Sequence, residues 1–103
     1  MSISETVDWF NSIYELNRMP EESKKEFYCG ITNDKEVRRK QHNVSRFLGV
    51  TKCDTFETAK KLEAKMNEEG YDTGEQLGNG DSDSIYCYLY KKIAGVTKEW
   101  KKT

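Results

Sequence analysis

Residues 26–43 read EFYCGITNDKEVRRKQHN, and how this stretch divides decides the fold. Glu26 to Thr32 is rich in aromatic and β-branched residues and is broken by Gly30, the composition of a short strand. Asn33 or Asp34 then offers a side-chain oxygen to the free N–H groups of a helix placed at residues 35–44. On that helix Arg38 and His42 stand four residues apart and share one face. Tyr28, Arg38 and His42, the only histidine of the chain, thus fall within fifteen residues. A solvated surface needs no such gathering.

Upstream, Ser2 and Glu5 have capping-box spacing, and Ile3, Val7, Phe10 and Tyr14 recur at helical intervals, which predicts a helix over 3–17. Met19-Pro20 and the charged run EESKK end it in a loop. Downstream, Arg46 to Cys53 reads as a second strand. Asp54 with Glu57 opens a helix whose apolar stripe is Ala59, Leu62 and Met66, and Gly70 stops it. Glu63 sits at the edge of that stripe, where a carboxylate faces the rim of the core. YDTGEQLGNGDSDS has too few apolar residues for regular structure and reads as a loop. Ile85 to Tyr90 then alternates Ile, Cys and Leu with Tyr86, Tyr88 and Tyr90, the period of a strand. The tail VTKEWKKT reads as a short helix or a frayed end.

A chain of 103 residues suits one domain over 1–103, with a helix in 1–18 and a core in 26–90. No apolar run approaches the roughly 20 residues that span a bilayer, and MSISETVDWF lacks the pattern of a signal peptide. A soluble, cytoplasmic protein without membrane contact is expected. Cys29, Cys53 and Cys87 are an odd set without a CxxC pair, which argues for reduced thiols. With His42 they also lack the spacing of a zinc finger. The net charge of −1 conceals an asymmetry: residues 24–65 hold eleven Lys or Arg against six Asp or Glu. Such a patch attracts phosphate through a salt-sensitive term, although mixed charge is also ordinary on surfaces.

The order Tyr28-Cys29-Gly30, Thr32, Arg38, His42, Ala59-x-x-x-Glu63 and Asn79 resembles the GIY-YIG nuclease domain, over residues 26–80. The resemblance implies a small α/β (α+β) domain, a short antiparallel sheet flanked by helices, that hydrolyses DNA phosphodiesters with one divalent ion, Mg²⁺ or Mn²⁺. Under it Tyr28 matches the tyrosine of the second motif, which orients or deprotonates the attacking water. Arg38 matches the arginine that neutralises phosphate charge, His42 a proton-relaying histidine, Glu63 the metal-binding glutamate, and Asn79 a late stabilising residue. The first-motif tyrosine has two candidates. Ser12-Ile13-Tyr14 lies upstream, inside the helical segment. Ser84-Ile85-Tyr86 opens the last strand, which in a permuted arrangement pairs beside residues 26–32 and presents Tyr86.

The residue types make chemical sense on their own. A phosphate ester needs charge neutralisation, a positioned water and a protonatable neighbour for the leaving oxygen. Arginine supplies an always charged planar fork, and histidine titrates near neutrality. Mg²⁺ keeps several waters and takes one or two carboxylates plus substrate phosphate, so a single Glu63 suffices.

Each residue also has a plainer reading. A lone histidine is usually a surface residue, a glutamate beside a stripe serves solubility, and Asn79 between two glycines suits a turn. Arg39 competes with Arg38. The tyrosine row is an exposed sheet face or a platform for stacking bases. Two functions follow: a DNA endonuclease acting on single-stranded, branched or partner-selected DNA, or a catalytically inactive module of the same fold that binds nucleic acid or a protein partner.

Overall fold

The computed structural model describes residues 2–74 and 85–99, and it places the last strand of the sequence in the middle of the sheet. The elements in chain order are α1 (Ile3–Asn17), a single 3-10 turn (Lys24–Glu26), β1 (Phe27–Thr32), α2 (Lys35–Gln41), β2 (Gly49–Lys52), α3 (Phe56–Glu68) and β3 (Tyr86–Lys91). The strands lie in the order β1-β3-β2, and β3 runs antiparallel to both neighbours. Its register sets Tyr28 opposite Tyr90, Gly30 opposite Tyr88 and Thr32 opposite Tyr86. This is an α+β fold built on one short antiparallel sheet.

Local chemistry explains most element ends. The capping box of α1 closes as its spacing predicts, with the Glu5 N–H donating to Ser2 Oγ at 3.1 Å and the Ser2 N–H to Glu5 Oε1 at 2.8 Å. The helix stops at Arg18, just before Met19-Pro20. Asp34 caps α2 by accepting from the N–H groups of Glu36 and Val37, both at 3.1 Å. That helix is shorter than the predicted 35–44, because Asn43 adopts a left-handed φ of 56° that ends the helical turn. Thr55 caps α3 where the spacing pointed to Asp54, its hydroxyl accepting from the Thr58 N–H at 3.1 Å. Gly70, at φ 108°, ends that region as expected. β2 is confined to 49–52 of the predicted 46–53, with Leu48 and Cys53 each donating one further main-chain hydrogen bond just beyond its ends, while the Arg39 guanidinium holds the carbonyls of Val44 and Ser45 in the preceding loop.

Strand alternation divides the core in two. On one face α1 and α3 press Phe10, Leu62 and Met66 against Phe27, Cys29, Cys87 and Leu89. Full burial of each large apolar side chain there is worth about 1.5–3 kcal/mol. On the other face Tyr28, Tyr88, Tyr90 and Val44 are buried, with Phe47 and Val50 packed beside them. The tyrosine row is therefore a packed second core at positions 88 and 90. Among the described residues no helix is long and apolar enough to cross a membrane.

Candidate active site

The tyrosine face of the sheet is where the chemistry-bearing residues meet. β1 contributes Tyr28, the end of α2 contributes Arg38 and His42, and β3 contributes Tyr88 and Tyr90. Gly30 makes room for this, since a methyl group there would overlap the Tyr88 hydroxyl directly across the strand pair. The His42 ring centroid lies 5.0 Å from that of Tyr28, 5.6 Å from Tyr88 and 5.0 Å from Tyr90. Phe47 closes the outer side, stacked 4.4 Å from Tyr88. Tyr28, His42 and Tyr88 are each at most 1% exposed.

The hydrogen bonds define a direction through the cluster. His42 Nδ1 contacts the Lys98 carbonyl oxygen, which can only accept, so Nδ1 carries the proton. Nε2 of a neutral ring is then an acceptor, and the Tyr88 hydroxyl, 2.8 Å away, donates to it. Tyr90 stands 3.0 Å from Nδ1 and donates its own proton to Glu99 Oε2 at 2.7 Å. The Arg38 guanidinium donates to the Ile31 carbonyl at 3.3 Å and also hydrogen-bonds the Tyr88 phenol. The result is a chain: a main-chain carbonyl, an imidazole, a phenol and a fixed cation.

Electrostatics set the resting protonation. Burial lowers the His42 pKa below its ordinary value, against the pull of the Lys98 carbonyl, and the neighbouring Arg38 charge works in the same direction as burial. Burial raises the Tyr88 phenol, with Tyr28 adding to the rise and Arg38 opposing it. Tyr28 is raised by burial first, then by the Glu63 and Asp72 charges, again opposed by Arg38. The free protein thus holds neutral His42 and protonated phenols.

Glu63 projects from the same buried side of α3 as Ala59, Leu62 and Met66, with no exposure to solvent. Its carboxylate adds to the raising of Tyr28 and of Cys87. Asp72, also felt by Tyr28, bridges onto β1 from the segment after α3 and pairs with Lys92 at 2.7 Å. Among the described residues no three His, Cys, Asp or Glu side chains gather around one point. Both Glu63 carboxylate oxygens are buried, so a hard cation, which takes water and substrate oxygens beside a carboxylate, would reach it only if the packing around α3 opened.

The other expected residues fall in different places. Tyr14 lies across the sheet, buried in α1 edge-on to Phe27 and Tyr71 at 5.1 and 6.0 Å, with its hydroxyl on the Glu22 carbonyl. Tyr86 shares the face of Tyr88 but is half-buried at the end of the strand, with the Lys35 ammonium 5.3 Å from its ring centre. Asn79 lies outside the described residues. The phenol that joins Tyr28 and His42 is Tyr88, two residues beyond Tyr86. Its signal in the sequence was the alternating tyrosine row, and only the strand register singles it out. Lys98 carried no signal, because a backbone carbonyl is available at every residue, and nothing in the charged tail marked Glu99 as the partner of Tyr90.

A cleft of about 520 Å³ opens beside Tyr90, lined among others by Arg39, Asn43, Arg46, Lys91 and Val96. Comparison with models of protein families, with curated proteins and with solved structures finds no match to this chain.

Proposed function

We propose that this protein is a divalent-metal-dependent DNA endonuclease of the GIY-YIG kind, with the motif strand that precedes the others in that family supplied here by β3. The observation that carries the reading is the hydrogen-bonded chain from the Lys98 carbonyl through His42 to Tyr88 and Arg38, beside Tyr28. Two stretches distant in sequence, the β1–α2 unit and β3 with the segment after it, converge to build it, and ordinary core packing does not need a polar chain of this kind.

Phosphodiester hydrolysis adds one water: its oxygen bonds to phosphorus, one P–O ester bond breaks, and the departing oxygen takes a proton from bulk water, which afterwards receives the one removed from the attacking water. Tyr88 accepts a proton from the attacking water as its own passes to Nε2 of His42, and the imidazolium formed is held by the Lys98 carbonyl. General base assistance of this type is worth about 10²–10⁴ in rate. Arg38 faces the charge that builds on the phosphoryl oxygens. Tyr28 orients the water through its hydroxyl. Glu63 would hold the Mg²⁺ or Mn²⁺, which when bound supplies Lewis-acid stabilisation of the phosphoryl group. The cleft beside Tyr90 carries Arg39, Arg46 and Lys91 on its walls, cations that attract phosphate, but is not lined by the residues given a catalytic role here.

One observation favours the second reading, a module that binds nucleic acid or protein without cleaving. Tyr28, His42, Glu63 and Tyr88 are all at most 1% exposed, so a substrate reaches them only if the face opens. Plasmid nicking by purified protein with Mg²⁺ or Mn²⁺ separates the two. Wild type should nick, and Arg38→Ala and Glu63→Ala should each fall at least about a hundredfold, the scale of losing one transition-state contact. Nicking that is equal in wild type and Glu63→Ala defeats the nuclease reading. Binding of DNA without cleavage under every metal condition leaves the module.

A further inference from the structure

The segment after β3 folds back over His42. The Lys98 N–H donates to the His42 carbonyl at 2.7 Å while the Lys98 carbonyl meets Nδ1 of the same residue, and Asn43 Nδ2 donates to the Val96 carbonyl at 3.0 Å. Gly95, at φ 77°, makes the turn that brings this segment back. Glu99 then reaches Tyr90. The histidine is thus gripped through both its backbone and its ring by Lys98, 56 positions later, while Glu99 holds the neighbouring Tyr90.

An acceptor, the Lys98 carbonyl, and a potential donor, the Tyr90 hydroxyl, compete for Nδ1 in this arrangement. A neutral imidazole has one N–H and one acceptor nitrogen, and its tautomer is set by what each nitrogen meets. The Tyr90 hydroxyl, 3.0 Å from Nδ1, could donate to it, which would force the ring proton onto Nε2 and turn that atom from acceptor to donor against Tyr88. Glu99 prevents this. It takes the Tyr90 proton at 2.7 Å, so that Tyr90 shows Nδ1 only an oxygen lone pair. The Lys98 carbonyl then completes the choice.

We propose that Lys98 and Glu99 are positioning residues that fix His42 as its Nδ1–H tautomer, Lys98 through its main-chain oxygen and Glu99 by holding the Tyr90 hydroxyl turned away. The claim about the tautomer stands on the hydrogen bonds alone, and its consequence for catalysis rests on the nuclease reading above. Neither residue touches the reacting atoms. Both act through the ring of His42.

Because His42 is the only histidine, ¹⁵N-histidine labelling reports on it without assignment. At neutral pH the wild type should show a protonated Nδ1 and a bare Nε2. A wild-type spectrum with the proton on Nε2 overturns the proposal at once, with no variant needed. Glu99→Ala should add a second population protonated on Nε2, and Glu99→Ala combined with Tyr90→Phe should restore the single Nδ1–H form by removing the competing donor. A merely structural role predicts loss of stability in both variants and no change of tautomer in either, which would overturn the proposal. Nicking should fall about tenfold in Glu99→Ala and recover in the double variant, a modest share of a general-base contribution. A tautomer that responds as stated in a protein that nicks nothing supports the positioning role and defeats the nuclease reading. Nicking by wild type with a tautomer indifferent to Glu99 does the reverse.

Discussion

A histidine buried as completely as His42 favours the folded state only while it is uncharged. Burial lowers its pKa, Arg38 adds to the lowering, and the Lys98 carbonyl and the Glu99 charge only partly oppose it. The unfolded chain therefore binds a proton more readily than the folded one as pH falls below the ordinary histidine value of about 6.5. The contribution is complete above that value and is lost on acidification toward the lowered folded pKa. Melting temperatures recorded between about pH 7.5 and about pH 5.5, above the range where carboxylates titrate, should fall for wild type and stay nearly level for His42→Gln. A wild-type curve as level as that of the variant counts against a neutral, buried ring. At this scale the sequence was most informative where contacts are local. Tyr28, Arg38 and His42 sit on one strand-turn-helix unit, so their order alone suggested their meeting. Tyr88 comes 46 residues after His42, and which of three alternating tyrosines would face it depends on a register that no local pattern records.

Among the elements, α2 carries the most consequence for its size. A helix of seven residues is far below the roughly 12–15 at which isolated helices become marginal, so its form depends on its cap and on what it packs against. Asp34 supplies two hydrogen bonds to its first turn. Asp34→Ala should lower stability in urea melts by about 1 kcal/mol, the usual worth of such a cap, while Asp34→Ser should lose much less. Equal losses in both variants would show that the carboxylate acts through something other than capping. Among the described residues, apolar periodicity revealed α1 and α3, and the capping side chain before it revealed α2. Their ends were less visible. Asn43 ends α2 by adopting a conformation that asparagine visits only sometimes. Tyr14 illustrates the opposite case, since its helical period correctly described a residue that belongs to the core of the other face.

For the molecule as a whole, the order β1-β3-β2 means that neither outer strand pairs with the other. β1 and β2 meet only through β3, which provides the pairing partners of both. A chain ending at residue 84 should therefore lack a cooperative thermal transition, and adding a synthetic peptide of residues 85–103 should restore it together with the far-ultraviolet signal of the intact protein. A cooperative transition in the short chain without the peptide would show that the remaining contacts suffice. This topology was not legible from composition or spacing. Antiparallel neighbours need not be consecutive, and the pairing of β3 beside residues 26–32 followed only from asking where a displaced motif strand could sit. The central place of β3 also has a consequence during synthesis. A nascent polypeptide leaving the ribosome has no sheet to close until Lys91 has emerged, and until then the greasy flanks of α1 and α3 are open to whatever chaperone waits at the tunnel mouth.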